Sequence, residues 1–412
     1  MTENLPCNLS EQVQPLINQI PKNVMGLERH RIIGEILDEQ PESLRVELRA
    51  LLDYFLEQMT GKQASDIDLG ANGCHGRIWY RVHGQKRPWA EGPEYGLLET
   101  DILCHNVLMP QQRKFLMDHR NLDFSYSLED GDGTPQRFRA DMYFDMEHLA
   151  LNMRKIENDI RPFSGLNFHP EVAKALSLKY LKYGLTLVTG ITGSGKSSTL
   201  DTIIDANNLT MDSHIVIIAS PVELVHQPKK SIVRHREVGR DVASFKAGTV
   251  EALRQDPDII VIGELRDPET IMTALEVTDS GHKTFSTLHT ASATESIDRI
   301  IGEVPPIEQE RVRNRLADTL TCVLSQKLIP SLDGKRALAK EILLTTSSVK
   351  AAIRNNNTGE IYQMIHEGSN AGMQTLEQDL SRLYKQEQIS MEEAIGSANN
   401  KKRMKDLLGQ TI

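Results

Sequence analysis

A glycine-rich segment, TGITGSGKSSTL, follows the apolar run LTLV that begins at Leu185. Its spacing, a glycine and four residues before Gly-Lys-Ser, matches the P-loop pattern. Glycines in such a loop let backbone N–H groups converge on a phosphate without a side-chain clash. Lys196 would neutralise phosphate charge, and the Ser197 hydroxyl would ligate Mg²⁺. The sequence therefore predicts a site for ATP and Mg²⁺ formed by Gly190, Thr192, Gly193, Ser194, Gly195, Lys196, Ser197 and Ser198.

A carboxylate is also needed to orient or deprotonate the attacking water, and the segment PDIIVIGELRD supplies one. Four apolar residues predict a buried strand, and Glu264 emerges at its carboxyl end. Ligands of open α/β sheets bind at that edge. Glu264 is the predicted catalytic carboxylate, although an ordinary glutamate at a strand end would show the same pattern.

Two histidines, His282 and His289, bracket the predicted strand KTFSTL. A single histidine is more often a packed or hydrogen-bonded core residue than a ligand. Their spacing does not suit two metal ligands on one turn of a helix. The strand itself predicts only that the two rings lie at its opposite ends.

Composition limits the class of protein. The 412 residues exceed what one core commonly supports, so two or more domains are expected. A net charge of −10 gives no overall excess of basic residues for nucleic acid, and no apolar run approaches the roughly 18 residues that cross a bilayer. The four cysteines form no C-x-x-C pair, which argues against a zinc site and fits a reducing compartment. We expect a soluble, cytoplasmic protein without a signal peptide or membrane span.

The elements around these residues predict an α/β protein with two domains. Residues 1–42 are polar and rich in proline, which predicts a loosely ordered or partner-dependent extension. Residues 43–158 read as a small α+β domain: a helix with Ser43 as N-cap, short strands, one helical piece from Leu98 to about His119, and a Gly-Asp turn at 129–135. A linker, NDIRPFSG from Asn158, occupies 159–168. Residues 169–345 alternate apolar strands with helices, which predicts a parallel sheet with helices on both faces, and 346–412 are helical.

Taken together, these segments resemble the type IV pilus retraction ATPases, the PilT and PilU group of the secretion ATPase superfamily. The resemblance runs from about Met59 to Leu408 and includes ASDIDL, RFR, GITGSGKSSTL, REVGRD, DPDIIVIGELRD, SGHKTFSTLHT and GMQTLEQDL. It implies a PAS-like domain before a RecA-like P-loop ATPase domain. It also implies a homo-hexamer with ATP between subunits, peripheral at the inner-membrane base of the pilus machine. There an inner-membrane platform protein would be its partner.

The resemblance also implies roles for individual residues. The segment from Gly190 to Ser197 matches the Walker A motif of the family, and Glu264 matches its Walker B glutamate. The two histidines match its His box, with His282 at the nucleotide and His289 at the reaction. Arg139 and Arg154 match arginines that reach the phosphates from a neighbouring domain, although both would also suit a solvated strand face.

Three departures qualify these expectations. Ala219 and Ser220 replace the acidic pair that the family carries before Glu223, which is the remaining predicted carboxylate. The retraction motif of the family is altered to AIRNNNT, and the extension before Ser43 is generally lacking in these ATPases. Three alternatives stay open: a working retraction motor, which the intact lysine and Walker B glutamate favour; a weakly or non-catalytic accessory subunit that supports a paralogue; and another secretion or conjugation ATPase.

Overall fold

The computed structural model describes residues 5–128, 135–156 and 159–409. It divides into two compact units. The first comprises Met1–Asn158, Ser220–Leu224 and Glu237–Ala243; the second comprises Asp159–Ala219, Val225–Arg236 and Ser244–Ile412. Apart from Pro135, the predicted Gly-Asp turn lies outside the described residues, as does Asn158 at the start of the predicted linker. The domain boundaries given above stay predictions.

The first unit combines helices with one antiparallel sheet. The sheet order is β3-β2-β1-β6-β5-β4, and every neighbouring pair is antiparallel. The helices are α1 (Leu9–Ile17), α2 (Gly26–Asp38), α3 (Glu42–Gly61), α4 (Leu97–Val107) and α5 (Pro110–His119). The strands are β1 (Ala64–Gly70), β2 (Trp79–Val82), β3 (Gln85–Pro88), β4 (Asn121–Leu128), β5 (Gln136–Asp145) and β6 (His148–Lys155).

The prediction of a loosely ordered N-terminal extension is wrong for the described part of 1–42. Helices α1 and α2 bury Leu9, Val13, Ile33 and Leu37 in the same core as the helices and strands that follow. These apolar residues recur at helical spacing, so each helix has one apolar face. The composition of the whole segment is polar and does not reveal these faces. The extension is therefore a folded part of the first unit.

Two finer predictions in this unit are corrected by proline. Helix α3 begins at Glu42 with Pro41 as its N-cap residue, so Ser43 lies inside the first turn rather than capping it. The single helical piece predicted from Leu98 is two helices, because Pro110 starts α5 and holds the preceding residue in an extended conformation.

The second unit is built on a mainly parallel sheet. Its order is β13-β12-β7-β11-β10-β8-β9; strands β12, β7, β11, β10 and β8 pair in parallel, and β13 is antiparallel to β12. The strands are β7 (Gly184–Thr189), β8 (His214–Ala219), β9 (Ile232–Glu237), β10 (Ile259–Ile262), β11 (Lys283–Leu288), β12 (Leu320–Pro330) and β13 (Arg336–Leu344).

Helices fill the connections of this sheet and the C-terminal part of the chain. They are α6 (Pro170–Leu176), α7 (Lys196–Thr210), α8 (Phe245–Ala252), α9 (Pro268–Asp279), α10 (Ala293–Gly302), α11 (Pro306–Thr319), α12 (Ser347–Arg354), α13 (Ile361–Glu367), α14 (Leu376–Lys385), α15 (Met391–Ser397) and α16 (Lys401–Leu407). No helix within the described ranges is both long and apolar enough to cross a membrane. The predicted fold class, a P-loop α/β domain preceded by a smaller α+β domain, is confirmed.

Candidate functional site

The glycine-rich loop leaves β7 at Thr189 and enters α7 at Lys196. Gly190 has φ +149°, and a Cβ atom at this position would lie 2.4 Å from the Gln326 carbonyl oxygen. Gly193 and Gly195 also have positive φ, at +79° and +86°. A side chain at Gly190 would strain the backbone and clash with the neighbouring strand. The fold therefore requires glycine at this position, independently of any bound phosphate.

Polar groups that could meet a phosphate gather around this loop. The first N–H groups of α7 have no partner within the helix, and the positive end of its dipole lies there. The Ser194 hydroxyl is buried, and it has no hydrogen-bond partner among the residues that the structure describes. The side chains of Thr192, Ser197 and Ser198 are exposed. This set of donors fits a bound triphosphate.

Lys196 is held by the loop itself. Its ammonium donates to the carbonyl oxygens of Gly190 at 2.8 Å and Ile191 at 3.1 Å, and it lies 3.3 Å from Nδ1 of His289. Burial lowers the pKa of Lys196, and the Glu264 carboxylate opposes that shift. A phosphate would therefore have to draw the lysine away from two backbone oxygens.

His289 links this lysine to Glu264. Its Nδ1 faces the donor Lys196, so the ring proton is on Nε2, which lies 3.2 Å from Oε1 of Glu264. Burial and then the lysine charge lower the pKa of His289, with Glu264 opposing them, which favours the neutral ring. Nε of Arg266 donates to the other glutamate oxygen, Oε2, at 2.6 Å. Three predicted residues thus form one continuous chain of contacts; their chemical roles stay predictions.

The strand register places Glu264 at the carboxyl edge of the sheet. Ile262 of β10 pairs with Ile218 of β8, and the Gly263 N–H donates to the Ile218 carbonyl at 2.8 Å. A Cβ atom at Gly263 would lie 3.3 Å from Cα of Ala219. The neighbouring strand therefore ends at Ala219, beside the position from which Glu264 emerges, where the resemblance implies acidic residues.

His282 does not join this group. It precedes β11 while His289 follows it, and a six-residue strand separates its ends by about 20 Å. Nδ1 of His282 lies 3.0 Å from the Ser280 hydroxyl and 3.2 Å from the Val277 carbonyl at the end of α9. Its predicted contact with nucleotide stays a prediction.

The three remaining predicted residues belong to the first unit and form ion pairs there. Arg139 is paired at 3.4 Å with both Asp123 and Glu223. Arg154 donates from Nε to Oδ1 of the buried Asp66 at 2.8 Å. Arg139 and Arg154 are direct register partners on β5 and β6. Both arginines are ion-paired, while the Arg154 side chain is 65% exposed, and their roles at phosphate stay predictions.

Two residues of the site were not predicted. Gln326 on β12 is buried, and its side-chain amide donates to the Ser194 carbonyl at 2.8 Å, which braces the loop from the neighbouring strand. Nothing in the local sequence SQKLIP indicates that contact. Arg266 follows Glu264 by two residues in GELRD, so its charge close to the predicted catalytic glutamate could have been read from the sequence.

Comparison with known proteins agrees with this geometry. The family model of the Type II/IV secretion system protein matches residues 43–408. The type IV pilus retractation ATPase PilT of Pseudomonas aeruginosa is 38% identical over 331 residues, which cover 80% of this chain and 93% of that protein. The type IV pilus ATPase PilU of the same organism is 34% identical over 321 residues, which cover 78% of this chain and 82% of that protein.

A solved structure of the same group of pilus retraction ATPases is also similar to this chain. The crystal structure of the pilus retraction motor PilT with bound ADP superposes with a TM-score of 0.74 at 35% identity, over 85% of this chain and 98% of that one. The resemblance inferred from the motifs is confirmed. With a family model matched over most of its length, the chain belongs to the Type II/IV secretion system protein family.

Proposed function

We propose that this chain is an ATP-driven motor that powers type IV pilus retraction as a homo-hexamer. The observation that carries the proposal is the chain of contacts from Lys196 through His289 to Glu264, beside a loop in which Gly190 leaves no room for a side chain. Its similarity to retraction ATPases over most of the chain identifies the machine. The motor would act in the cytoplasm at the inner-membrane base of the pilus, on a platform protein of that membrane.

The same contacts indicate how the loop would receive ATP. Lys196 would leave the two carbonyl oxygens that hold it and bind the β- and γ-phosphates. The Ser194 hydroxyl and the first N–H groups of α7 would donate hydrogen bonds to the remaining phosphate oxygens. Within the described residues no group of three or more His, Cys, Asp or Glu side chains could hold a metal ion. By the P-loop pattern, Ser197 would hold Mg²⁺ together with the nucleotide, and the ion would supply charge neutralisation.

Hydrolysis would depend on the other end of that chain of contacts. Glu264 would orient the attacking water and accept its proton. When Lys196 leaves Nδ1 of His289, the ring loses its donor, and the hydrogen bond from Nε2 to the glutamate is free to change. Phosphate binding is thereby connected to the side chain that holds the predicted general base.

Residues of a neighbouring subunit would complete the pocket, as the resemblance implies. Arg139 and Arg154 would deliver charge to the phosphates only when the ring closes. Glu223 would contribute a carboxylate to catalysis and His282 would contact the nucleotide, as the resemblance implies. Each arginine would have to give up a carboxylate that holds it in the isolated chain. Each arginine would thus exchange a carboxylate for a phosphate of the neighbouring subunit. This exchange is a physical reason why ATP turnover would require the assembled ring.

A second candidate is a weakly catalytic accessory ring subunit that binds ATP and supports an active paralogue. The observation that favours it is that Ala219, which carries no carboxylate, ends β8 beside Gly263, so fewer carboxylates are available to hold metal and water. The similarity to PilU is compatible with this role. The intact Lys196–His289–Glu264 group is the reason to prefer the working motor.

The experiment is steady-state phosphate release by the purified full chain, with its size followed by analytical ultracentrifugation with and without ATP. We expect turnover by a hexamer, loss of ATP binding and turnover in Lys196→Ala, and binding without turnover in Glu264→Gln. Lys182→Ala, an exposed lysine ahead of β7, is the control. Tight ATP binding without turnover in the wild type would select the accessory subunit. Turnover that survives Lys196→Ala would reject this site, and loss of pilus retraction in cells that carry Glu264→Gln would connect it to the fibre.

A further inference from the structure

The segment immediately after His289 is held by the C-terminal helices. Asn399 lies in the turn between α15 and α16, and its side-chain N–H donates to the Ala291 carbonyl at 3.2 Å. Ala291 is two residues beyond His289, the ring that contacts both Lys196 and Glu264. A C-terminal side chain is therefore joined to the connection that carries the histidine.

A lysine of the central sheet fixes that asparagine. Lys327 on β12 donates to Oδ1 of Asn399 at 2.7 Å and to the Ser397 carbonyl at 2.9 Å. Successive strand residues point to opposite faces. The preceding residue, Gln326, accordingly holds the Ser194 carbonyl in the phosphate loop. One strand thus contacts the phosphate loop with one residue and the C-terminal turn with the next.

Buried carboxylates hold both sides of this junction. Glu377 accepts the Asn400 N–H at 2.7 Å and the Tyr362 hydroxyl at 2.9 Å. Glu341 accepts the Ala293 N–H at 2.7 Å, where α10 begins. Both carboxylates are almost fully buried. Hydrogen bonds to buried carboxylates therefore hold both the turn and the start of α10. The Asn399 amide connects the turn to Ala291, two residues before α10 begins.

We propose that Asn399, held by Lys327, is a positioning residue for ATP hydrolysis. Its amide fixes the chain at Ala291 and so sets where the His289 ring stands relative to Glu264. The C-terminal helices thereby become part of the hydrolytic machinery, and a displacement of those helices by the pilus machine would reach the histidine through a single side chain. This inference rests on the proposed ATPase function.

Three substitutions separate the contacts of this side chain. Asn399→Asp keeps an oxygen for Lys327 but removes the N–H that donates to Ala291, whereas Asn399→Ala removes both contacts. Lys327→Met keeps the length of the side chain without the ammonium. Lys402→Ala, an exposed lysine on α16, is the matched control. Each full-length variant is assayed for kcat, for the Kd of ATP and for hydrogen exchange of the amides at 289–293.

Asn399→Asp and Asn399→Ala should lower kcat by about tenfold, because small displacements of a reacting group have large effects on rate. The Kd of ATP should change by less than about twofold, a factor that corresponds to well under 1.4 kcal/mol. The double variant Lys327→Met/Asn399→Ala should be no slower than Asn399→Ala, since the two residues act as one unit. Amides at 289–293 should exchange faster in both Asn399 variants and at the wild-type rate in Lys402→Ala.

Two results would overturn the inference. Asn399→Asp with wild-type kcat and wild-type exchange at 289–293 would show that the asparagine only anchors the C-terminal turn. Equal losses in kcat and in affinity would show a general disturbance of the pocket. A wild-type chain that binds ATP but does not turn over would instead reject the proposed motor, and the exchange measurement would then decide the positioning role alone.

Discussion

The contact between Gln326 and the phosphate loop gives a prediction that no motif suggests. The perturbation is Gln326→Met, which nearly conserves side-chain volume but removes the amide that donates to the Ser194 carbonyl at 2.8 Å. Gln326 is 2% exposed, so water cannot easily replace the lost donor. A buried carbonyl left without its partner costs about 1–3 kcal/mol. We expect the second unit to lose roughly 2 kcal/mol of unfolding free energy, because the substitution leaves the buried Ser194 carbonyl without the Gln326 donor.

The assay is thermal unfolding together with binding of a fluorescent ADP analogue. A loss of that size lowers Tm by about 4–8 °C for a unit of this length. Part of the same free energy should appear in binding, because nucleotide must order a loosened loop, and a weakening of ADP by up to about tenfold corresponds to 1.4 kcal/mol. Gln326→Ala should be less stable than Gln326→Met, since it also leaves a cavity. A methionine variant with wild-type Tm and wild-type affinity would refute the assignment of Gln326 as the brace of the loop.

Three further predictions follow from contacts described above or from the core of the first unit. Gly190→Ala should abolish ATP binding, because its Cβ would lie 2.4 Å from a carbonyl oxygen. Gly193→Ala should weaken binding less, because nothing lies within 4 Å of its Cβ. Isothermal titration calorimetry with ATP compares the two variants. Leu37→Ala in α2 should destabilise the first unit by about 2–5 kcal/mol, and wild-type stability in denaturant would contradict a packed extension. Burial lowers the pKa of both His30 and His105, whose rings meet at 2.9 Å. The unfolded chain therefore binds more protons, and stability should fall as pH drops below about 6.5, less steeply in His30→Phe; equal slopes would contradict this.

The phosphate loop could be predicted from the sequence because its chemistry is local. Gly190, Lys196 and Ser197 lie within a few residues of one another, and one strand and one helix suffice to arrange them. Glu264 could be predicted because a short apolar strand determines which edge of the sheet it reaches. For such residues, spacing along the chain already specifies position in space.

The rest depends on pairing between distant segments, which spacing does not encode. The Gln326 amide meets the loop only because β12 lies beside β7 in the sheet, and that order follows from long-range pairing. The ion pairs of Arg139 and Arg154 likewise depend on which carboxylates the fold brings near them. Helices α1 and α2 were missed for another reason. Their apolar residues are few, and they form one face only when the segment is placed on a helix of about 3.6 residues per turn.

The N-terminal helices have a practical consequence for any shortened form of the protein. Family similarity begins at residue 43, yet α1 and α2 share their core with α3 and α4, and α4 is buried around most of its circumference. Trimming the chain to the segment shared with its relatives would uncover apolar surface and favour aggregation.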